Sequence, residues 1–177
     1  MALALPLLGV AASVAVALLL AIAGIDKLRH RDLLPGVIAN YRLLPDALVA
    51  PAARLLPVAE LLIAVGLLAG VTPWAPVAAI ALLLIFAAAM AINIGRGRQH
   101  IDCGCGHAGL KERLGWGKVL RNLALAGALL PALVTSRADL GMADVAVAVA
   151  AGVMAWLMLQ MITAVAALGA VPAGKGR

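Results

Sequence analysis

The chain has 177 residues, of which 65% are hydrophobic and 12% are charged. Its mean hydropathy of +1.09 excludes an ordinary soluble domain, and its length suits one compact membrane domain. The formal net charge of +6 argues for basic residues that border membrane spans. Nucleic-acid binding is rejected because no basic stripe is interleaved with aromatic residues.

Five apolar stretches are each long enough to cross a bilayer as a helix. The spans are predicted at about 3–25, 55–71, 74–94, 116–135 and 143–171. The first lacks the positive start of a cleaved signal peptide, so we expect it to be retained. The second is expected to carry Pro57 in its first turn. The predicted fold class is all-α, a polytopic transmembrane helix bundle in a single domain, 1–177.

A further short helix is predicted at about 32–45, between the first two spans. Its apolar residues recur at helical spacing, while its length is too short to span the membrane. We expect Asp32 to cap its start and Pro45 to end it. The segment therefore predicts an amphipathic helix lying along the membrane surface.

The basic residues predict the orientation of the bundle. All 14 Lys and Arg residues except Arg137 fall on one side of the predicted spans. The positive-inside rule makes that side cytoplasmic, with the N-terminus outside and the loop at 96–115 and the C-terminus inside. Stable disulfides belong to the oxidising side of a membrane, so a cysteine pair in this loop leaves a conflict open.

The loop at 96–115 contains the only two cysteines of the chain, Cys103 and Cys105. A disulfide across one intervening residue would be strained and easily reduced, which is the property of a relay. Gly104 and Gly106 give the backbone the freedom that such tight geometry requires. The pattern favours a catalytic thiol–disulfide redox pair.

The charged residues around the cysteines bear on their reactivity. Arg98 and Lys111 favour the thiolate, which is the attacking species, whereas Asp102 opposes it. Farther along the chain, Arg121 and Asn122 open the fourth span, and we expect them to support the loop by hydrogen bonding.

Two other interpretations of the cysteines remain open. Cys103, Cys105, His100 and His107 form a soft-metal ligand set, to which Asp102 adds an oxygen. One residue between the cysteines fits zinc poorly and suits Cu(I) or Hg(II) better. The third interpretation is a pair of structural thiols.

Glu60 is an ionisable residue inside a predicted span and is therefore a functional candidate. We expect it to pair with Lys27 or Arg121, to hold a quinone headgroup, or to carry a proton. The structural alternative is an ion pair at the cytoplasmic end with Arg54, Lys118 or Arg121.

Three residues are expected to anchor the bundle at the interface: Lys27, Tyr41 and Trp116. Lys27 and Tyr41 are also candidates for the quinone or proton site.

Together these motifs resemble the MauE family of methylamine utilisation proteins. The resemblance rests on Arg98-x-x-x-Asp102-Cys103-Gly104-Cys105-Gly106, then Trp116 and Arg121-Asn122-Leu123. Lys27, Tyr41-Arg-Leu-Leu-Pro45 and Leu56-Pro57-x-x-Glu60 equally suit the wider DoxX-like membrane group. His107 departs from the aromatic residue expected there.

The resemblance implies a multi-pass protein of the bacterial inner (plasma) membrane with a DoxX-like four-helix core. It also implies a membrane-bound thiol–disulfide helper that acts beside a thioredoxin-like partner. The implied client contains disulfides, as does the small subunit of methylamine dehydrogenase. DoxX-like relatives add a link to quinone; no cofactor is certain, and whether the chain is itself an oxidoreductase stays open. The alternative function is soft-metal binding or transport.

Overall fold

The computed structural model describes residues 3–98, 114–135 and 140–169, with side chains of the last range as far as residue 165. Helices are the only regular secondary structure among these residues. The helices are α1 (Ala4–Arg29), α2 (Leu34–Tyr41), α3 (Asp46–Ala69), α4 (Trp74–Gly95), α5 (Trp116–Ala128), α6 (Pro131–Val134) and α7 (Met142–Gly169). Five stretches, with α5 and α6 counted together, are long and apolar enough to cross a membrane. The predicted all-α polytopic bundle is confirmed.

α1 lies at the centre of the bundle and packs against α3 on one side and α7 on another. Small residues permit this close packing, because a Cβ on Gly152 of α7 would lie 2.5 Å from the Ala11 carbonyl oxygen of α1. We call the main apolar cluster the central core. It comprises Val16, Ala17 and Leu20 of α1, Ala64 and Leu67 of α3, Ala75, Ala79 and Leu83 of α4, and Leu125, Ala126 and Leu129 at α5.

The short second helix differs from its prediction at both ends. α2 begins after Leu33, which makes no side-chain capping bond, so Asp32 is not its cap. It ends at Tyr41 because Arg42 takes a left-handed conformation with φ of 49°. Pro45 precedes the first residue of α3 and does not end α2.

α3 begins at Asp46, well before the predicted start of the second span at about 55. Pro57 is therefore in the interior of α3 and not in its first turn, and Pro51 is also inside the helix. Asp46 in the first turn is favourable because a carboxylate complements the positive end of the helix dipole. The helix therefore continues on the N-terminal side of its most apolar part. It also packs against α2.

The fourth predicted span is divided into two helices. α5 ends at Ala128 and α6 begins at Pro131. Proline has no N–H for the bond to Gly127, and its ring clashes with that carbonyl, so the helix breaks just before it. α7 packs mainly against α1 and leaves most of its apolar surface exposed.

The alternation of helix directions brings the end of α1, the start of α3, the end of α4 and the start of α5 to the same end of the bundle. We call it the basic end. All Lys and Arg side chains within the described residues lie toward it, namely Lys27, Arg29, Arg31, Arg42, Arg54, Arg96, Arg98, Lys118 and Arg121.

Candidate functional site

A buried ion pair joins α1 and α3 toward the basic end. Lys27 Nζ donates to Glu60 Oε1 at 2.7 Å. The side chains are 7% and 0% exposed, respectively. Of the partners proposed for Glu60, Lys27 is the one that it contacts. The prediction that Lys27 anchors the interface is wrong, because its ammonium group turns inward to the carboxylate of α3.

The two ends of this ion pair are satisfied unequally. Lys27 Nζ also lies 3.5 Å from the Ala23 carbonyl oxygen and 5.8 Å from the centroid of the Phe86 ring on α4, within the range of a cation–π contact. Glu60 Oε2 is buried and has no hydrogen-bond partner in the part of the chain that the structure describes. A buried carboxylate oxygen without a donor is costly, which marks this oxygen as a place for a proton or a donor group.

The local sequences of α1 and α3 explain why the two charges meet. Gly24 precedes Lys27 by one turn, and Pro57 precedes Glu60 by one turn. A Cβ on Gly24 would lie 3.1 Å from the Pro57 carbonyl oxygen and 3.0 Å from Leu61 Cγ. The missing side chain therefore lets the helices approach closely, and the lysine on the next turn reaches the carboxylate.

A second apolar cluster is formed by residues of α4 and of the start of α5, nearer the basic end. Tyr41 at the end of α2 is half-buried and packs against this cluster. Trp116, the first residue of α5, is 57% exposed. We call the cluster the α4–α5 core; its members are Ala87, Met90, Ile94, Leu114 and Val119.

Asn122 is buried on α5, whereas its neighbour Arg121 is half-buried. One turn before Asn122, Val119 belongs to the α4–α5 core; one turn after it, Leu125 belongs to the central core. Asn122 therefore lies between the two apolar clusters along α5.

Asn93 is a candidate that the sequence analysis missed. It is fully buried on the last turn of α4, where its Nδ2 donates to the Ala89 carbonyl oxygen at 3.0 Å. Its Oδ1 accepts from Arg98 Nη1 at 3.4 Å. The available signal was an amide in an otherwise apolar helix shortly before the Gly95-Arg-Gly97 loop.

The predicted catalytic and metal-ligating residues of the loop lie outside the described residues. This applies to Cys103, Cys105, Asp102, Gly104, Gly106, His100 and His107. The structure does describe the residues on either side of this segment. Arg98 follows α4, and Leu114 precedes α5 and is buried in the α4–α5 core with Ile94. Both ends of the cysteine-bearing segment are therefore at the basic end.

Comparison with known proteins places these features in one family. A family model described as "Methylamine utilisation protein MauE" matches residues 5–135. The chain is 54% identical over 112 residues to "Methylamine utilization protein MauE" of Paracoccus denitrificans, covering 62% of this chain and 59% of that protein. The protein of the same name from Methylophilus methylotrophus is 51% identical over 124 residues, with coverages of 69% and 65%.

The protein of that name from Methylorubrum extorquens is 43% identical over 145 residues, covering 80% of this chain and 78% of the relative. The chain thus spans less than two thirds of the length of the Paracoccus denitrificans and Methylophilus methylotrophus proteins. It spans more than two thirds of the Methylorubrum extorquens protein. No solved structure matches the chain.

Proposed function

Because the chain belongs to the MauE family, we propose that it serves methylamine utilisation as a membrane-bound thiol–disulfide redox helper. The observation that carries the proposal is the spacing of its only two cysteines, Cys103 and Cys105. A pair separated by one residue forms a disulfide that is easily reduced. Such a disulfide suits transfer to another protein better than structural cross-linking.

The described residues support this role because they fix both ends of the cysteine-bearing segment at the same end of the bundle. Arg98 and Leu114 are both fixed at the basic end, the first by hydrogen bonds to α4 and the second by burial. Cys103 follows Arg98 closely, so chain length alone keeps its Cα within about 18 Å of that of Arg98. Because the segment begins and ends at this end of the bundle, we propose that a partner domain outside the membrane meets the thiols there.

The exchange moves two electrons and two protons from the partner to this chain. A partner thiolate attacks one sulfur of the Cys103–Cys105 disulfide and forms a mixed disulfide, releasing the other cysteine as a thiolate that takes up a proton. The second partner thiolate then displaces the first cysteine. The partner leaves with a disulfide, and Cys103 and Cys105 remain as thiols. A thioredoxin-like protein or a disulfide-containing client fits this chemistry.

Returning the thiols to the disulfide needs an electron acceptor, for which we propose a membrane quinone. Two thiols and one quinone give one disulfide and one quinol. Glu60, paired with Lys27, is the proposed proton-handling residue, and Tyr41 is a proposed contact near the basic end. Because Glu60 Oε2 is closed to solvent, a proton fits this oxygen more readily than a quinone ring.

We further propose that the basic end faces the cytoplasm of a bacterial inner membrane, with the N-terminus outside. The support is the bias of Lys and Arg toward this end of the bundle. On the reducing side of the membrane the cysteine pair would be oxidised only transiently.

Trapping tests the redox proposal directly. Cys103→Ser and Cys105→Ser variants are expressed with the partner proteins of a methylamine-using host, and mixed disulfides are sought by non-reducing gels and mass spectrometry. In one single-cysteine variant the remaining thiolate is expected to attack the disulfide of an oxidised partner, which is the reverse direction of the exchange. The mixed disulfide should then accumulate until dithiothreitol releases it, because the second cysteine that would displace the partner is missing. The Cys103→Ser/Cys105→Ser variant is the matched control and should trap nothing.

Two outcomes would overturn the proposal. Maturation of the client at the wild-type rate in both single variants would show that the thiols are not needed. Stoichiometric Cu(I) binding lost in Cys105→Ser, with activity insensitive to quinone depletion, would favour the soft-metal function instead.

A further inference from the structure

The loop between α2 and α3 holds an arginine in a backbone conformation that arginine rarely takes. Arg42 ends α2 with φ of 49° and ψ of 43°, and its N–H donates to the Ala39 carbonyl oxygen at 3.0 Å. This left-handed region disfavours residues that carry a Cβ, and glycine or asparagine usually occupies it at the end of a helix. An arginine kept there against its backbone preference points to a use for its side chain.

Arg96, the residue that follows α4, meets Arg42. Its Nη1 donates to the Arg42 carbonyl oxygen at 3.4 Å, and both arginine side chains are exposed. Among the described residues, no carboxylate forms an ion pair with either of them. Arg98, the next cation along the chain, is engaged elsewhere, because its Nη1 donates to Asn93 Oδ1. Two cationic residues from separate elements are therefore brought together without a carboxylate to neutralise them in the described part of the chain.

The length of α4 places Arg96 at the level of the lipid headgroups. The helix has 22 residues, from Trp74 to Gly95. At a rise of about 1.5 Å per residue it is about 33 Å long, which matches the hydrocarbon core of about 30 Å in a typical bilayer. Trp74 is exposed at the opposite end, where tryptophan favours the interface. Arg96 thus directly follows the apolar span, and Arg42 meets it at the same depth.

Exposed apolar side chains lie on both sides of this contact. Leu43 and Leu44 directly follow Arg42 in the chain, and Ile92 precedes Arg96 by one turn of α4. An apolar surface beside cations suits a phospholipid, in which a phosphate and two acyl chains belong to one molecule.

We propose that Arg42 and Arg96 together bind the phosphate of one anionic phospholipid. Its acyl chains lie along the exposed apolar side chains beside the two arginines. Guanidinium groups bind phosphate oxygens through charge-assisted hydrogen bonds, and a net negative headgroup is favoured because the two cations have no ion-paired carboxylate among the described residues. The bound lipid joins the α2–α3 loop to the end of α4. The inference goes beyond the proposed thiol–disulfide function and does not depend on it.

The test measures lipid binding to the purified full chain by native mass spectrometry from detergent micelles. Phosphatidylglycerol and phosphatidylcholine with the same acyl chains are titrated separately. One phosphatidylglycerol is expected to bind more tightly than phosphatidylcholine, because only the former has a net negative charge. Arg42→Gln and Arg96→Gln should each weaken its binding about fivefold, which is the effect of one cation near an anionic surface. The combined variant should no longer distinguish the two lipids.

The matched control is Arg29→Gln. It removes one exposed charge from the same end of the bundle, on a helix that packs mainly against α3 and α7. It should leave the affinity for phosphatidylglycerol unchanged. An equal weakening by Arg29→Gln would overturn the inference, since the lipid would then respond only to the total charge of the basic end.

Arg42→Gly separates the side chain from the backbone conformation. Glycine takes the left-handed conformation without the Cβ penalty, so the lipid-free variant is expected to unfold at the wild-type temperature or above it. It should nevertheless bind phosphatidylglycerol about fivefold more weakly. Wild-type affinity in Arg42→Gly would show that the arginine side chain does not bind the lipid, and the inference would be wrong.

Two further outcomes would assign the arginines to another ligand. Displacement of phosphatidylglycerol by an equal concentration of inorganic phosphate would indicate a site for free phosphate. Equal binding of the two lipids by the wild type, with loss of the trapped mixed disulfide in Arg42→Gln/Arg96→Gln, would indicate docking of the protein partner. Lipid binding does not use the cysteines, so a preference for phosphatidylglycerol without any trapped mixed disulfide would refute the redox role and retain the lipid site.

Discussion

Replacing Lys27 with methionine is expected to cost far more stability than an ordinary substitution in this helix. Methionine preserves most of the unbranched stem, so the main change is loss of the ammonium group bonded to Glu60. Two unit charges 2.7 Å apart attract by about 6 kcal/mol at an effective dielectric constant of about 20. The desolvation of both groups offsets part of this attraction.

Loss of the lysine would leave the Glu60 carboxylate buried, with one oxygen deprived of its donor and the other already without one. Breaking a buried pair in this way costs about 3–5 kcal/mol. The Lys27→Met/Glu60→Leu variant should recover most of that cost, because it leaves no buried charge. Recovery would show that the ion pair is not needed for stability.

The free energy of unfolding can be measured in mixed micelles with a rising fraction of sodium dodecyl sulfate, followed by circular dichroism. Arg29→Met is the matched control, a basic residue on the same helix with an exposed side chain. It should change stability by about 0.5 kcal/mol or less. The account of the buried pair is wrong if Lys27→Met costs no more stability than Arg29→Met. It is also wrong if the cost of the double variant equals the sum of the costs of Lys27→Met and Glu60→Leu measured separately.

Two further predictions concern helix packing and orientation. Gly24→Ala should destabilise the bundle by about 1–3 kcal/mol in the same unfolding assay, because the Cβ would meet the Pro57 carbonyl oxygen. Gly36→Ala, with open space around it, should be neutral or stabilising; equal effects at the two positions would contradict this packing argument. For orientation, Thr72→Cys in a variant lacking both native cysteines should react with an impermeant maleimide in intact cells. Native Cys103 should react only after lysis, and the reverse pattern would overturn the proposed topology.

The part of the fold that could be predicted from the sequence is the part that a lipid bilayer dictates. Long apolar stretches must form helices in a bilayer because each backbone polar group needs an internal partner. α4 accordingly begins and ends within about a residue of its expected bounds. The start of α3 was misplaced because hydropathy locates the apolar part of a helix and not its polar extension. The break before Pro131 was readable, since proline interrupts a helix by a known mechanism.

The candidate site was predictable in part. Glu60 was identified because it is a charged residue within an apolar span. The alternating direction of the predicted spans correctly placed the basic residues together at one end of the bundle. Only packing could select Lys27, because the choice depends on the close approach at Gly24. Asn93 was missed because α4 was treated as uniformly apolar, although an amide in such a helix requires partners when it is buried.

The distribution of buried polar residues links the fold to the proposed chemistry. Lys27, Glu60, Asn93 and Asn122 are buried toward the basic end, where Arg98 and Leu114 flank the cysteine-bearing segment. Apolar residues of similar volume would serve stability there at least as well. We therefore infer that these polar groups contribute to function. If Asn93→Leu and Lys27→Met/Glu60→Leu each left partner trapping and client maturation unchanged, the buried polar groups would have no part in the thiol chemistry.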